Sequence, residues 1–177
     1  MFEAGYPFRY INTQTLINEY PHLKTINYSF TTAKNRRYLV LIHEYEWMVL
    51  VIKFHEANKR HLHNRFNVIL NDFDCSKILR TVINIAEAEL KKNQFASFAF
   101  VGVPKEGKET RNTANSQRHR IYRKLAEYFL GPQTFLHSYE QRSNCYLLVN
   151  KRNVNPAALQ TAIVDMFAEH FHELSHL

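Results

Sequence analysis

Two β-rich runs follow one another with no loop residues between them. "RYLVLIHEYE" occupies 37–46 and "WMVLVIKFHE" occupies 47–56. Both are rich in β-branched, aromatic and other apolar residues, which favour strands. Their junction, near Glu44 to Trp47, predicts either a tight hairpin or one bent strand. Either outcome commits the chain to a β-sheet that the other segments extend and cover.

Length and composition limit what surrounds this sheet. With 177 residues, 45% of them hydrophobic and 14% aromatic, the chain is most simply one folded domain over 1–177. Two distant cysteines, Cys75 and Cys145, indicate a reducing compartment and no metal finger. The start "MFEAGYPFRYINTQ" lacks a signal-peptide pattern, and the apolar runs are far shorter than the ~20 residues of a membrane span. We therefore expect a cytoplasmic protein with no membrane partner.

The remaining segments carry strand and helix patterns. "TQTLINEYPHL" (13–23) is typical of a short helix, whereas "INYSFTT" (26–32) and "FNVILND" (66–72) are typical of strands. "CSKILRTVINIAEAELKKN" has apolar residues at helical spacing and predicts a crossover helix over 77–93. A strand at 95–104, a helix to about Leu130, a hairpin formed by "TFLHSYEQ" and "CYLLVNK", and a helix from Pro156 complete the order.

This order predicts the fold class. Strands that follow one another closely pair antiparallel, whereas a helix between two strands allows a parallel pair. We expect an α/β (α+β) fold: a mixed, mostly antiparallel sheet with helices on both faces. The crossover helix at 77–93 then joins two parallel neighbours.

The net charge of +7 is concentrated in one segment. Between 104 and 125, seven Lys or Arg stand against two Glu, so this segment carries +5 of the +7. A basic surface at 105–124 favours anionic partners: nucleic acid, a phosphorylated cofactor or an acidic protein. Solvated surface charge without any partner explains the same composition equally well.

The stretch "NSQRHRIYRKLAEYF" (115–129) sharpens this question. Ile121, Leu125 and Phe129 are spaced to share one helix face. Arg118 and Arg120 lie near the front of the helix, where a helix prefers anions. The spacing therefore predicts a helix whose front end either faces a bound anion or carries only solvated charge.

The order of elements resembles the GNAT superfamily of N-acetyltransferases over about 26–150, with a C-terminal helix at 156–175 beyond it. In that fold, three antiparallel strands lead to a helix, a parallel strand, a second helix and closing strands. GNAT enzymes often carry N-x-x-A-x-x-x-Y-x-K-x-G-F on the helix after the splayed strand. Asn115, Tyr122 and Lys124 match this pattern, and Arg118 stands where the family prefers a small residue.

The resemblance implies a chemistry for these residues. It implies acetyl-CoA or another acyl-CoA as the cofactor, with Asn115 and Arg118 on the cofactor side. Tyr122 takes the position of the tyrosine that donates a proton to the leaving thiolate. In GNAT-like chemistry a strand carboxylate deprotonates the substrate amine directly or through water, so Glu44 and Glu46 are candidate bases. Exposed strand carboxylates with no catalytic role give the same pattern.

One departure from the family concerns the pyrophosphate loop. GNAT enzymes hold the CoA pyrophosphate with Q/R-x-x-G-x-G/A between the fourth strand and the next helix. The corresponding "LNDFDCSKIL" has neither glycine nor arginine and adds Asp72 and Asp74. An acidic pair near a phosphate costs on the order of 1 kcal/mol or more. We therefore expect a divergent GNAT-like protein.

Two histidine-bearing segments predict no metal site. "HELSH" at 172–176 matches the zinc pattern H-E-x-x-H, but no third ligand follows it, so we expect a frayed polar helix end. His55, His61 and His63 lie in a polar stretch that we expect to be a solvated connection, with an anion or metal site as the alternative.

Two functional hypotheses remain. The first is an acyltransferase-like enzyme in which Tyr122 points into a cleft between splayed strands near 66–72 and 97–103. The second is a non-enzymatic binding module that uses the basic surface at 105–124 for nucleic acid or an acidic partner.

Overall fold

The computed structural model describes residues 4–16, 21–61, 74–101, 117–140 and 145–174. Within these ranges the description excludes the side chains at 101, 117–122, 140, 145 and 171–174. Its ten main elements are, in chain order, β1 (Phe8–Thr15), β2 (Lys24–Thr31), β3 (Arg37–Tyr45), β4 (Val49–Glu56), α1 (Cys75–Lys92), β5 (Ser97–Val101), α2 (Gln117–Phe129), β6 (Phe135–Glu140), β7 (Cys145–Asn150) and α3 (Pro156–Leu174).

The strands form one seven-stranded sheet in the order β1-β2-β3-β4-β5-β7-β6. Among the described strands, β4 and β5 are parallel and every other neighbouring pair is antiparallel. α1 connects β4 to β5, so the predicted crossover helix between parallel neighbours is confirmed. The predicted strand at 66–72 lies outside the described residues, and β4 is the parallel partner of β5.

Each face of the sheet is covered by helices, as the fold-class prediction required. On one face α1 and α2 pack on strand residues such as Ile42, Ile52 and Phe98. On the other face α3 packs Ile163, Met166 and Phe167 against Tyr45, Val51 and Leu147. The helical spacing of α1 accounts for its burial, because Ile78, Leu79, Val82, Ile83 and Ala86 are fully buried.

The junction of the first two runs is a tight hairpin. Tyr45 pairs with Val49, and a 3-10 turn over Glu46–Met48 connects the strands. Trp47 and Met48 both have positive φ, 54° and 58°. This result excludes the bent strand, and it places two bulky side chains in a backbone conformation that favours glycine or asparagine.

The predicted helix at 13–23 is wrong where the structure describes it. Residues 13–15 belong to β1, where Thr13 pairs with Ile26 and Thr15 with Lys24. Residues 21–23 form a bend. The ladder to β2 satisfies the backbone of this segment, and the N–H of Leu16 donates to the carbonyl of Leu23 (3.0 Å), so pairing outweighs the local helical spacing.

β1 is an edge strand with little cover. All its residues after Phe8 are exposed. Its register with β2 shifts between Tyr10 and Asn12, which is a β-bulge at Ile11. In the described part of the chain only one side of β1 has a partner strand.

Candidate functional site

The parallel strands β4 and β5 separate after a short ladder. Their Cα partners are Val49 with Ser97, Leu50 with Phe98 and Val51 with Ala99. β4 continues to Glu56 and keeps its antiparallel partner β3 along its whole length. The side of β4 that faces β5 therefore has no ladder partner from 52 to 56 among the described residues.

The second half of β4 is buried in spite of this opening. Ile52 and Phe54 are each 4% exposed and face the α1–α2 core. His55 is 5% exposed, and its Nδ1 donates a hydrogen bond to the carbonyl of Glu56 (2.9 Å). The structure thus places His55, predicted in a solvated connection, within a buried strand.

α2 carries two of the predicted site residues, Arg118 and Tyr122. Its backbone places Arg118 in the first turn and Tyr122 in the second. The side chains of both residues, and the whole of Asn115, lie outside the description. Leu125 and Ala126 are fully buried against α1, which confirms the predicted inner face at Leu125. The roles of Asn115, Arg118 and Tyr122 stay predictions.

Glu44 and Glu46, the candidate bases, differ in their surroundings. Glu44 lies on β3, 17% exposed, with its Oε2 2.9 Å from Nζ of Lys24. Glu46 is exposed in the turn that follows β3. Of these two glutamates, Glu44 lines the cavity that opens beside this end of the sheet, and Glu46 does not. The assignment of either residue as a base stays a prediction.

The structure separates Glu44 from the front of α2. Glu44 pairs with Leu50, and Leu50 pairs with Phe98, so Glu44 lies at the end of the sheet where β4 and β5 begin. α2 ends at Phe129, and Phe135, which starts β6, packs on Phe98 with 5.9 Å between ring centroids. The back of α2 therefore lies at this end of the sheet, and its front lies at the other.

The cavity beside Glu44, here called the end cavity, encloses about 550 Å³. Ile26, Leu50 and Ala96 form its apolar floor and are 6%, 4% and 1% exposed. Met48 and Phe95 stand at its mouth and are 46% and 52% exposed. These residues give the end cavity one continuous apolar surface.

Two ion pairs flank this apolar surface. Lys24 pairs with Glu44, and Nζ of Lys92 lies 2.7 Å from Oε1 of Glu89, which is itself buried. The hydroxyl of Tyr28 donates to the same oxygen and accepts a hydrogen bond from Lys92 (2.7 Å). All four charged side chains line the end cavity.

Tyr28 and Lys92, the two partners of Glu89, both have raised pKa values. Burial raises the pKa of Tyr28, and its hydrogen bond to Glu89 raises it further. Burial opposes the charge on Lys92, but the hydrogen bonds to Glu89 and Tyr28 outweigh burial and raise its pKa. At neutral pH Tyr28 is therefore a neutral phenol, and Lys92 presents an ammonium group to the cavity.

Sequence reasoning missed this part of the site. The sequence patterns single out neither Lys92 nor Glu89 as a site residue. The signal that could have found them is the i,i+3 spacing of a carboxylate and an ammonium group on an otherwise apolar helix face. Their partner Tyr28 lies 61 residues before Glu89, which local spacing does not reveal.

A histidine pair lies on the face that α3 covers. The rings of His22 and His43 stack with 3.9 Å between centroids and 7° between planes. Nε2 of His22 lies 3.0 Å from the hydroxyl of Thr25. Burial, followed by the charge of Lys53 and by His22, lowers the pKa of His43 to about 3. Burial, followed by Lys53, lowers the pKa of His22.

The other sequence candidates contribute little to the described structure. Of the basic segment at 105–124, only Arg123 and Lys124 have described side chains; both are exposed, and Arg123 pairs with Glu127 (3.6 Å). The side chains of "HELSH" and the residue His63 lie outside the description. Within the described ranges no cluster of three or more His, Cys, Asp or Glu is arranged to hold a metal, and no helix has the length and hydropathy needed to cross a membrane.

Among the described residues, two places thus offer an opening for a ligand. One is the separation of β4 from β5, and the other is the end cavity. No family model, curated protein or solved structure matches the chain. The functional conclusion therefore rests on the geometry and chemistry of these two places.

Proposed function

We propose that the chain is a divergent acyl-CoA-dependent N-acyltransferase of the GNAT type that acts on an amine in the cytoplasm. The observation that carries the proposal is the early end of the parallel β4–β5 ladder, after Val51 and Ala99. The order of the elements supports it too. Antiparallel strands, a helix, the parallel strand β5, a second helix and a closing hairpin follow one another as in the GNAT fold.

The opening beside β4 suits an extended ligand that contains amide groups. From 52 to 56 the edge of β4 that faces β5 has no ladder partner among the described strands. A strand edge of this kind pairs with extended chains through main-chain hydrogen bonds. The pantetheine arm of an acyl-CoA is such a chain, because it is linear and contains two amides.

The front of α1 is poorly suited to the phosphate end of the cofactor. α1 begins at Cys75, and Asp74 occupies its N-cap position with no capping hydrogen bond from its side chain within the described residues. Asp72, the other predicted acidic residue, lies outside the description. A carboxylate beside the helix start takes the place that a phosphate would otherwise occupy. The proposed cofactor is therefore held mainly by its arm.

The proposed roles follow the predicted site. Tyr122 is the general acid that protonates the leaving thiolate. Asn115 and Arg118 contact the cofactor, which is an anionic ligand. Support for Tyr122 comes from its position on α2, the helix that follows the separating strand β5. Glu44 and Glu46 lie near the opposite end of the sheet, so as bases they require water between carboxylate and amine.

Calorimetric titration with cofactor fragments tests the binding mode. We expect acetyl-CoA to bind with a Kd below about 1 mM. Acetyl-pantetheine is expected to keep most of the affinity, and adenosine 3′,5′-bisphosphate to keep little of it. Absence of binding by acetyl-CoA, propionyl-CoA and succinyl-CoA at millimolar concentration overturns the proposal. If the protein then binds heparin in a salt-sensitive way, a nucleic-acid-binding role of the basic surface at 105–124 is favoured instead.

Replacement of Tyr122 tests the catalytic role. Free thiol is measured as acetyl-CoA reacts with lysine, spermidine or tyramine. We expect Tyr122→Phe to lower kcat by about 100-fold, because it removes the proton donor, and to leave KM for acetyl-CoA nearly unchanged. Tyr128→Phe is the matched control, since Tyr128 lies on the same helix and is 70% exposed. Equal kcat values for the two variants contradict the assignment.

A further inference from the structure

We propose that the end cavity binds a small zwitterion with an apolar body, such as an α-amino acid with an aliphatic side chain. The first argument is charge balance. The cavity is lined by two ammonium groups, Lys24 and Lys92, and two carboxylates, Glu44 and Glu89. A ligand with one charge meets as many like charges as opposite ones. A ligand with both charges can direct each toward its complement.

The depth of the charged groups gives the ligand an orientation. The carboxylates lie deeper than the lysines: Glu44 is 17% exposed against 37% for Lys24, and Glu89 is 7% exposed against 57% for Lys92. The ammonium group of the ligand therefore points inward, and its carboxylate stays near the mouth. Tyr28 and Lys92 both donate to Oε1 of Glu89, so among the described residues its Oε2 is left for the ligand.

The apolar surface provides for the body of the ligand. Ile26, Leu50 and Ala96 form a floor that an aliphatic side chain can cover. Met48 and Phe95 at the mouth can close over it, and Nδ2 of Asn93 contacts Sδ of Met48. The volume of about 550 Å³ lies in the range of small-molecule sites and accommodates an amino acid or a dipeptide.

The backbone at the mouth adds an independent observation. Trp47 and Met48 hold positive φ angles that cost roughly 1 kcal/mol or more each for such side chains. This conformation places Met48 on the cavity wall and leaves both side chains about half exposed. Backbone strain of this kind concentrates at ligand-binding sites, where it positions a side chain to contact the ligand.

This inference goes beyond the proposed acyltransferase function. The end cavity lies where β4 and β5 begin, whereas the proposed cofactor site lies where they separate, and Glu44 is the one residue that both proposals use. Binding of a zwitterion is therefore tested without any acyl-CoA, and either proposal can fail while the other stands.

A ligand series with matched bodies tests the charge argument. Calorimetric titration uses L-leucine, leucinamide, which lacks the carboxylate, and N-acetyl-L-leucine, which lacks the ammonium group. We expect leucine to bind with a Kd in the millimolar range or tighter, and the other two to bind at least about tenfold more weakly. Equal affinities, or no binding of leucine at about 10 mM, overturn the proposal.

Two variants locate the binding site. Thr13 lines the end cavity from the exposed strand β1, and Thr13→Trp is expected to fill the cavity and abolish leucine binding. Gln14→Trp adds the same side chain to the opposite face of the strand and is expected to leave binding unchanged. Equal leucine affinity in these two variants contradicts the proposal that leucine binds in the end cavity.

A charge variant supplies a second readout with little risk to folding. Glu44→Gln is expected to weaken leucine binding by about tenfold or more, because the ammonium group loses a carboxylate. Glu127→Gln removes a carboxylate from the exposed pair with Arg123 and is expected to have no effect. An unchanged leucine Kd in Glu44→Gln overturns the proposed orientation and with it the proposal.

Discussion

At the scale of single residues, the stacked histidines under α3 are titrating groups whose pKa values are lowered by burial. His22 and His43 lie ring to ring, with Lys53 acting on both. Tyr45 lies beside His22, and from α3 the ring of His170 lies 6.2 Å from that of Tyr45. A proton on either stacked ring places a positive charge next to Lys53 and next to the other histidine. None of these contacts includes a carboxylate that could balance this charge.

This arrangement makes stability depend on pH. The pKa of His43 is about 3 in the folded chain and about 6.5 in the unfolded chain, so between these values the unfolded chain binds the extra proton. The free energy of unfolding should therefore fall as pH falls below about 6.5, by up to ~1.4 kcal/mol per pH unit for this histidine. The loss levels off near pH 3. Urea unfolding at a series of pH values between 7 and 4 measures the slope.

Two phenylalanine variants isolate this contribution. His43→Phe keeps an aromatic ring on His22 and should flatten the slope by about one proton. His61→Phe changes an exposed histidine and should leave the slope as it is. If the His43→Phe slope matches that of the unmodified chain, another group is responsible for the pH dependence.

The sequence predicts some residues of the end cavity and not others. Glu44 was singled out as a carboxylate near a strand junction, and the structure places it in a cavity wall. Glu89 and Tyr28 were not connected, because their hydrogen bond joins α1 to β2 across 61 positions. Local spacing reports which residues share a face of one element. It does not report which face of another element lies opposite.

At the scale of elements, the β3–β4 turn deviates most from local preference. A turn with positive φ at two successive residues normally contains asparagine and glycine. This chain has Trp47 and Met48 there, and the flanking ladder from Tyr45–Val49 onward holds them in place. The strands thus impose a conformation that the turn residues do not favour.

Relief of this strain should stabilise the chain. Met48→Gly is expected to raise the free energy of unfolding by about 1 kcal/mol, since glycine adopts positive φ without a steric penalty. Phe95→Gly is the control: Phe95 is also exposed at the mouth of the end cavity, but its φ is not positive. Urea midpoints measure both changes. A loss of stability in Met48→Gly contradicts the strain argument.

The elements that sequence predicted are those with a buried face. α1, the β3–β4 hairpin, the β6–β7 hairpin and α3 each bury apolar residues at their own period. The sequence predicts both helices and the β6–β7 hairpin, and it predicts the β3–β4 junction as either a hairpin or one bent strand. β1 is not predicted, because its residues after Phe8 are exposed on both faces and alternate in no apolar pattern. β1 is a strand because it pairs with β2, and this pairing is a tertiary contact that the local sequence of β1 does not reveal.

At the scale of the whole molecule, one sheet serves two cores. The cluster under α1 and α2 and the cluster under α3 occupy opposite faces of the same strands. Loss of either cluster exposes one face of β3, β4, β5 and β7. We therefore expect the described elements to unfold as one cooperative unit.

A single buried residue of the smaller core tests this coupling. Phe167 is 1% exposed and packs edge-on against Tyr45, with 5.5 Å between centroids. Phe167→Ala should lower the free energy of unfolding by about 3–5 kcal/mol and shift far-ultraviolet dichroism and Trp47 fluorescence together. Val154→Ala, at a fully exposed position, should change it by less than about 0.5 kcal/mol. Separate transitions for the two signals contradict a single cooperative unit.

Strand order shows where sequence reasoning ends at this scale. From β2 onward, helix and hairpin patterns predict the order of the described elements and the parallel crossover, and both agree with the structure. The position of β7 between β5 and β6 is not encoded in any local pattern. It follows from pairs such as Phe98 with Leu148, whose side chains belong to the same core.

The bulge at Ile11 has a consequence for how copies of this chain behave when crowded together. An open, regular edge strand is a template on which further chains add and aggregate. Here the bulge divides the free edge of β1 into Phe8–Tyr10 and Asn12–Thr15. Each piece is shorter than the six or so residues that stack in cross-β fibrils. We therefore expect this irregularity in the backbone of β1 to hinder the growth of fibrils along its edge.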